Sequence, residues 1–356
     1  MKDKLRLLIT LLILGCLTGC GGQKAAENDW EAITQSEEME ADEETEMTKE
    51  PEAPKKPPVS AEALEIKYRG PAPFDYVTAS YDTVYLLSRD NGDGSFLMKM
   101  KTGADTAEKM PVTLPDGMEF LHFATDKEGK LYCMVADKDS AARCQIWKID
   151  KDGTVEEKID ISEHMGKDSW KPWAMAVSGN HDIYLRVGGL NGILAMVFDQ
   201  EGNLLSQISD EGKYQLIDAM GRGKDGKIYA MLMTPGDKQL IAELDGGKGT
   251  IGKVYENVLQ EGAGMYACIG EGTDTDLLIY GLGTGIFAYN IGEEAASLRV
   301  PASKFSFDDS GKSLVLADGR LLIIQRGIAM KEDRPVSTVE GTIFHYIPAG
   351  NEELVP

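Results

Sequence analysis

Two cysteines four residues apart close the first apolar run of this chain and are the first chemistry it offers. The stretch LILGCLTGCGGQ, residues 12–23, carries Cys16 and Cys20, with only small residues just after the second. A thiol in that position is buried, paired or covalently modified, and the surrounding residues must decide. Three more cysteines follow, Cys133, Cys144 and Cys268, with four dispersed histidines, His122, His164, His181 and His345. Cys133 and Cys144 fall on the two arms of one expected hairpin and form a candidate disulfide. A bridge requires Cα atoms within about 7 Å and suitable Cβ directions; buried free thiols are the competing reading. The histidines show neither HExxH nor paired ligand spacing, so no catalytic residue and no metal ligand is assigned. The turns DNGDG (90–94) and DKDG (150–153) present adjacent carboxylates. Neither has the spacing of a calcium loop, and turn chemistry accounts for both. There is no Gly-x-Ser-x-Gly elbow, and GLGTG (281–285) lacks the Lys and helix of a phosphate loop. No cofactor is expected.

An aromatic series shows more order. Tyr76, Phe120, Trp173, Tyr214 and Tyr266 each stand 9–15 residues before the Tyr of a strand-like core, and Trp170 shares the loop KDSWKPWAM with Trp173. Flat rings gathered at one mouth of a fold would stack on sugars or clamp a peptide. Rings that fill gaps between sheets would only pack. Both readings stand at the level of sequence.

The elements that position these groups begin with the N-terminus. Lys2, Lys4 and Arg6 stand against Asp3, and an apolar core of 11 residues runs from Leu7 to Leu17. That is far short of the ~20 residues that span a bilayer, and the basic start, short apolar core and small-residue exit follow the secretory signal pattern. Leu17-Thr18-Gly19-Cys20 resembles the lipobox of bacterial lipoproteins. The resemblance implies that residues 1–19 are a signal peptide, that the Cys20 thiol is diacylglycerylated, and that the mature chain begins there. It implies a place on the extracytoplasmic face of the cell membrane. Two or three acyl chains, at about 0.8 kcal/mol per buried CH₂, give lasting attachment where one is marginal.

Residues 20–61 read as an acidic tether. Between 21 and 60 there are 12 acidic side chains against Lys24, Lys49, Lys55 and Lys56. Such a segment buries too little apolar surface to offset its chain entropy and is expected to be disordered. Its charge and closing prolines extend it beyond the ~35 Å of a flexible 40-residue coil. Of the formal −22, residues 1–19 supply +2 and the tether −8, which leaves −16 on residues 61–356. An acidic domain of this kind repels nucleic acid and anionic head groups, so no nucleic-acid partner is expected.

The rest of the chain repeats. The cores TVYLLSR, KLYCMVA, DIYLRVG, KIYAMLM, LLIYGLG and RLLIIQR are centred near Val84, Leu131, Ile183, Ile228, Leu277 and Leu321, at spacings of 47, 52, 45, 49 and 44 residues. Most follow turns rich in Gly and Asp: DKEGK (126–130), GNHD (179–182), KDGK (224–227) and ADGR (317–320). Gly accepts the left-handed backbone of a tight turn and Asp caps it. Short strands at this density, with a period of about 40–50 residues, predict an all-β fold, a β-propeller over residues 62–350. Six blades are expected, with seven as the alternative. Closure should pair ALEIKYRG (63–70) with GTIFHYIP (341–348), leaving 351–356 as a tail.

The repeat resembles the propeller half of large clostridial surface lipoproteins, in which a propeller precedes an extracellular solute-binding domain of carbohydrate-uptake transporters. EDRPVSTVEGTIFHYIPAGNEELVP (332–356) resembles the junction at which that second domain starts. The resemblance implies a role beside a solute-uptake system. The expectation is a non-enzymatic, monomeric, membrane-anchored binding module for a carbohydrate, a cell-wall fragment or a surface protein. A propeller hydrolase or lyase with an acidic or His channel site, and a scaffold in a surface complex, are the alternatives. The ligand-binding candidates are Trp170, Trp173, Tyr76, Phe120, Tyr214 and Tyr266.

Overall fold

The second strand of each repeat is apolar on both of its faces, and this dictates the architecture. In β7 (Leu131–Asp137), Leu131, Cys133 and Val135 point into one core and Tyr132, Met134 and Ala136 into another. A sheet made of such strands must be covered on both sides. The computed structural model describes residues 62–65, 74–80, 82–90, 94–140, 142–165, 172, 174–187, 193–209, 213–235, 239–256, 258, 266–271, 276–281, 285–301, 312–315, 321–331 and 334–347. The chain divides into Met1–Lys55 and Lys56–Pro356, and every described residue lies in the second unit. The expected signal peptide, Cys20, the tether and the 351–356 tail therefore lie outside the described residues. Among the described residues no helix is long and apolar enough to cross a membrane.

Among the described residues, twenty-four strands form six four-stranded antiparallel sheets. The first blade is β2 (Phe74–Ser80), β3 (Thr83–Asp90), β4 (Gly94–Lys101) and β5 (Glu108–Lys109). The second is β6 (Met118–Thr125), β7, β8 (Cys144–Ile149) and β9 (Val155–Asp160). The third is β10 (Ala174–Val177), β11 (Ile183–Arg186), β12 (Ile193–Phe198) and β13 (Leu204–Ser209). The fourth is β14 (Gln215–Arg222), β15 (Ile228–Met233), β16 (Gln239–Asp245) and β17 (Thr250–Tyr255). The fifth is β18 (Tyr266–Glu271), β19 (Leu277–Gly281), β20 (Gly285–Asn290) and β21 (Ala295–Pro301). The inner strands β2, β6, β10, β14 and β18 each pack on the next.

The expected count of six blades, with seven as the alternative, is corrected to five, each built from four consecutive strands. The core near Leu321 belongs instead to a sheet of mixed origin, in the order β1 (Glu62–Glu65), β24 (Arg334–Ile347), β23 (Leu321–Lys331) and β22 (Lys312–Val315). Glu62 to Glu65 pair with Tyr346 to Ile343, all but Glu62 within the segments expected to meet, and β22 packs on both β18 and β2. The ring thus closes through hydrogen bonds between segments nearly 280 residues apart rather than through a further repeat. β23 and β24, of 11 and 14 residues, are far longer than the blade strands. This is an all-β propeller.

Each interface between consecutive blades has its own core. Between the first and second lie Tyr85, Leu87, Phe120, Cys133 and Trp147; between the second and third, Met134, Cys144, Ile146, Ile183 and Phe198. Ile228 and Leu244 meet Tyr184 and Val197, and Tyr229 and Tyr255 meet Leu277 and Tyr289. Polar ties cross the same interfaces. Lys99 Nζ donates to Lys151 O at 2.9 Å and Lys148 Nζ to Gln200 O at 2.9 Å, each reaching the outer turn of the following blade. Those turns need glycine. Gly202 has φ +91°, and a Cβ there would run into Ile159 of the preceding blade.

The Cys133–Cys144 disulfide is not formed; both are buried free thiols. Cys133 stands opposite Trp147, and Cys144 opposite Ala136. An offset of three residues separates the two cysteines by about 10 Å along the ladder and turns them to opposite faces of the sheet, so they enter different cores. Burial pushes the Cys133 thiol well up and the Cys144 thiol up to about 12.

The repeated tyrosine of the second strand has a consequence for pH. Burial, and then the charge of Asp150 for Tyr85, pushes Tyr85 up to about 12; burial pushes Tyr184 up to about 12, although its hydroxyl accepts the Gly246 N–H at 3.1 Å. Burial also raises Tyr132 and Tyr229. An unfolded tyrosine ionises near pH 10. The stability held by the neutral phenols is therefore complete below about pH 10 and is lost as pH rises from there toward 12. Alkaline titration should show tyrosinate absorbance and loss of the β-sheet circular dichroism rising together in that window. Free ionisation of these tyrosines in the folded protein near pH 10 would contradict the packing described.

Candidate functional site

The central strands of the second and fourth blades are buried on both faces, so the two ends of the ring are the first places to look for function. The inner strands run in the same direction, and hydrogen bonds between consecutive turns mark their trailing ends. Thr125 Oγ1 donates to Ala79 O at 3.4 Å, Gly179 N to Gly226 O at 2.7 Å, and Lys224 N to Asp276 O at 3.0 Å. The DKEGK, GNHD and KDGK turns therefore lie side by side at this end.

A polar cluster occupies it. Thr125, Val177 and Arg222 hold the same register position, opposite Leu131, Ile183 and Ile228. Half-buried Arg222 reaches back across its neighbours and donates from Nη1 to Thr125 O at 3.2 Å and Val177 O at 3.3 Å. Inner-strand edges carry carbonyls that the ladder leaves unpaired, and the guanidinium satisfies two of them. One turn further, His181 Nδ1 lies 3.5 Å from Asp126 Oδ2 and Nε2 lies 3.6 Å from Glu128 Oε2. Asp126 is buried, and its Oδ1 accepts the Lys130 N–H at 2.8 Å. Asp182, beside His181, is raised by burial and then by Asp199.

Sequence reasoning singled out none of Asp126, Glu128, His181 and Arg222 as a site, although a signal was present. The three turns align so that His181 stands where its neighbours have Gly129 and Gly226; φ is +68° at His181 and +81° at both glycines. A non-glycine residue pays about 1–2 kcal/mol in that left-handed region. An imidazole in a glycine slot is visible once the repeats are aligned turn by turn.

Four of the predicted aromatics have their backbone positions toward the opposite, leading end. Tyr76 and Tyr266 lie at the start of β2 and β18, Phe120 near the start of β6, and Tyr214 just before β14. Register shifts fall between Phe74 and Tyr76, Phe120 and His122, Leu216 and Met220, and Tyr266 and Cys268. Bulges at such rims re-aim side chains. Phe120 is 1 % exposed and packs edge-on against Trp147 with centroids 6.3 Å apart, so its ring is committed to the core. Tyr214 is half-buried, with Lys213 Nζ 5.0 Å from its ring centroid. Trp170 and Trp173 lie outside the described residues, in the segment that leads into β10.

Asp150 of DKDG spends Oδ1 on the N–H groups of Asp152 and Thr154, which is turn chemistry. His164 sits beside Phe198 and 3.2 Å from Glu163; His122 is on β6. A cleft of about 560 Å³ opens at the trailing end of the first blade, lined by Asp82, Lys99, Lys101, Glu108, Lys151 and Asp152 among others. Its volume suits a small ligand, but its charged, aromatic-free lining differs from the leading-end set.

No protein-family model matches the chain, and no curated protein matches it. Solved structures do. A protein of unknown function from Dyadobacter fermentans is similar at 14% identity and a TM-score of 0.50, over 81% of this chain and 98% of that one. The protein YCF48, solved bound to D1 peptide, is similar at 12% identity and a TM-score of 0.45, over 83% of this chain and 97% of that one. A protein of unknown function from Bacteroides caccae is similar at 10% identity and a TM-score of 0.39, over 71% of this chain and 70% of that one. At these identities the likeness concerns the propeller fold alone.

Proposed function

We propose that this chain is a lipid-anchored binding module on the extracytoplasmic face of the membrane. Its acylated Cys20 holds the protein, the acidic segment to residue 61 spaces it outward, and the leading end of the propeller binds a carbohydrate or cell-wall fragment. A place beside a solute-uptake system follows from the clostridial resemblance. The observation that carries the reading is the collection of Tyr76, Tyr214 and Tyr266 at the leading ends of inner strands, beside or near bulges in three of the five serial blades. Trp170 and Trp173 precede β10 in sequence and extend the series. Aromatic residues at a ring mouth match the stacking needs of a sugar.

Titration calorimetry of the full chain against oligosaccharides and peptidoglycan fragments tests this. A saturable ligand is expected, with affinity weakened tenfold or more in the Trp170→Ala/Trp173→Ala variant and unchanged in Lys101→Ala, which alters the trailing-end cleft. Silence across the glycans, or a ligand indifferent to both tryptophans, would remove the proposed site.

A further inference from the structure

Two turns from different blades bring three metal-ligating side chains together at the trailing end, away from the aromatic series. We propose that Asp126, Glu128 and His181 form a divalent-cation site that ties the second blade to the third, with Zn²⁺ as the best-matched ion. One donor atom can be taken from each residue so that all lie within 4.8 Å of one another. Asp126 Oδ2 and His181 Nδ1 are 3.5 Å apart. Zinc bonds of about 2.0–2.2 Å in tetrahedral array place neighbouring donors about 3.3 Å apart, so this pair already has nearly the right spacing. Glu128 is about half exposed, with the exposed Lys127 Nζ 3.8 Å from Oε1, so a side-chain rotation carries its carboxylate from the far edge of the imidazole toward the ion.

Four features favour an ion over a simple charge pair. The donors mix imidazole with carboxylate, the set that borderline divalent ions prefer over Ca²⁺ or Mg²⁺. Asp126 is held in place, since Oδ1 accepts the Lys130 N–H and the carboxylate also meets the Tyr132 hydroxyl, while Oδ2 lies toward the imidazole. His181 is partly exposed, so an ion has a path from solvent and can keep a water in its fourth position. The imidazole also occupies a left-handed backbone slot that the neighbouring turns give to glycine, so its position is maintained against the local backbone preference. The competing arrangement is a protonated His181 held between two carboxylates with no ion bound.

The variants separate these cases. The untagged full chain, stripped with chelator, is titrated with ZnCl₂ by calorimetry and melted with and without Zn²⁺, with CaCl₂ as comparison. One tight equivalent of Zn²⁺ and a rise in Tm are expected. His181→Gly should weaken the affinity at least tenfold and abolish the Tm rise, while its metal-free Tm stays at or above that of the unaltered chain because glycine suits the turn. Glu128→Gln, on an exposed side chain, should also weaken binding and serves if the glycine variant misfolds. Absence of a stoichiometric Zn²⁺ equivalent would overturn the proposal. So would uptake that is the same in both variants, which would place the ion elsewhere, for instance on the acidic tether.

Discussion

Trp147→Ala is expected to lower the folding free energy by about 3–5 kcal/mol, the range for truncating a large buried aromatic. Trp147 is fully buried, meets Phe120 edge-on, and donates from Nε1 to Gln145 at 2.9 Å, while Lys158 Nζ lies 3.9 Å from its ring centroid. The side chain fills the core between the first and second blades. That core cannot collapse easily, because each blade is also held by its other neighbour, so the cavity should persist. Urea unfolding of the full chain followed by circular dichroism measures the loss as a lowered midpoint at unchanged slope. A change under 1 kcal/mol would mean that the interface is looser than described. Trp147→Phe, which keeps much of the volume and the edge contact, should recover at least half.

Cys20→Ala is expected to shift the protein almost entirely from the membrane fraction to the medium or soluble fraction. The proposed anchor concentrates the whole membrane affinity in one thiol: with the lipid absent, the strongly acidic segment and domain have no electrostatic attraction to anionic head groups. Fractionation with metabolic labelling by a fatty-acid analogue reads both consequences, a fall of tenfold or more in the membrane-bound share and loss of label. Retention of the variant in the membrane, with label intact, would defeat the lipobox reading. Cys16→Ala should change neither.

How much of this was legible in the sequence depended on whether the governing interaction was local. The second-strand cores could be read because a strand buried on both faces has to be apolar at nearly every position, as KLYCMVA is around Leu131. The Asp-Gly turns could be read because Asp150 and Gly153 satisfy a local backbone need within five residues. The candidate disulfide went astray because both cysteines were placed on the right hairpin arms, yet its register was decided by side chains pairing across the whole ladder. The register sent Cys133 and Cys144 to opposite faces.

The sequence by itself determined the β-rich repeat, the turn chemistry and the segments that would meet at closure, since each depends on neighbours in the chain or on a strict alternation of apolar positions. Only the tertiary structure decided that the serial repeats stop at five, and that Leu321 belongs to a sheet completed by Glu62–Glu65. It alone set Asp126, Glu128 and Arg222 around the turn that carries His181. These outcomes follow from ring closure, in which distant segments compete for the same strand edges and separate turns are carried to one end. Nothing in a local stretch of residues encodes which competitor wins.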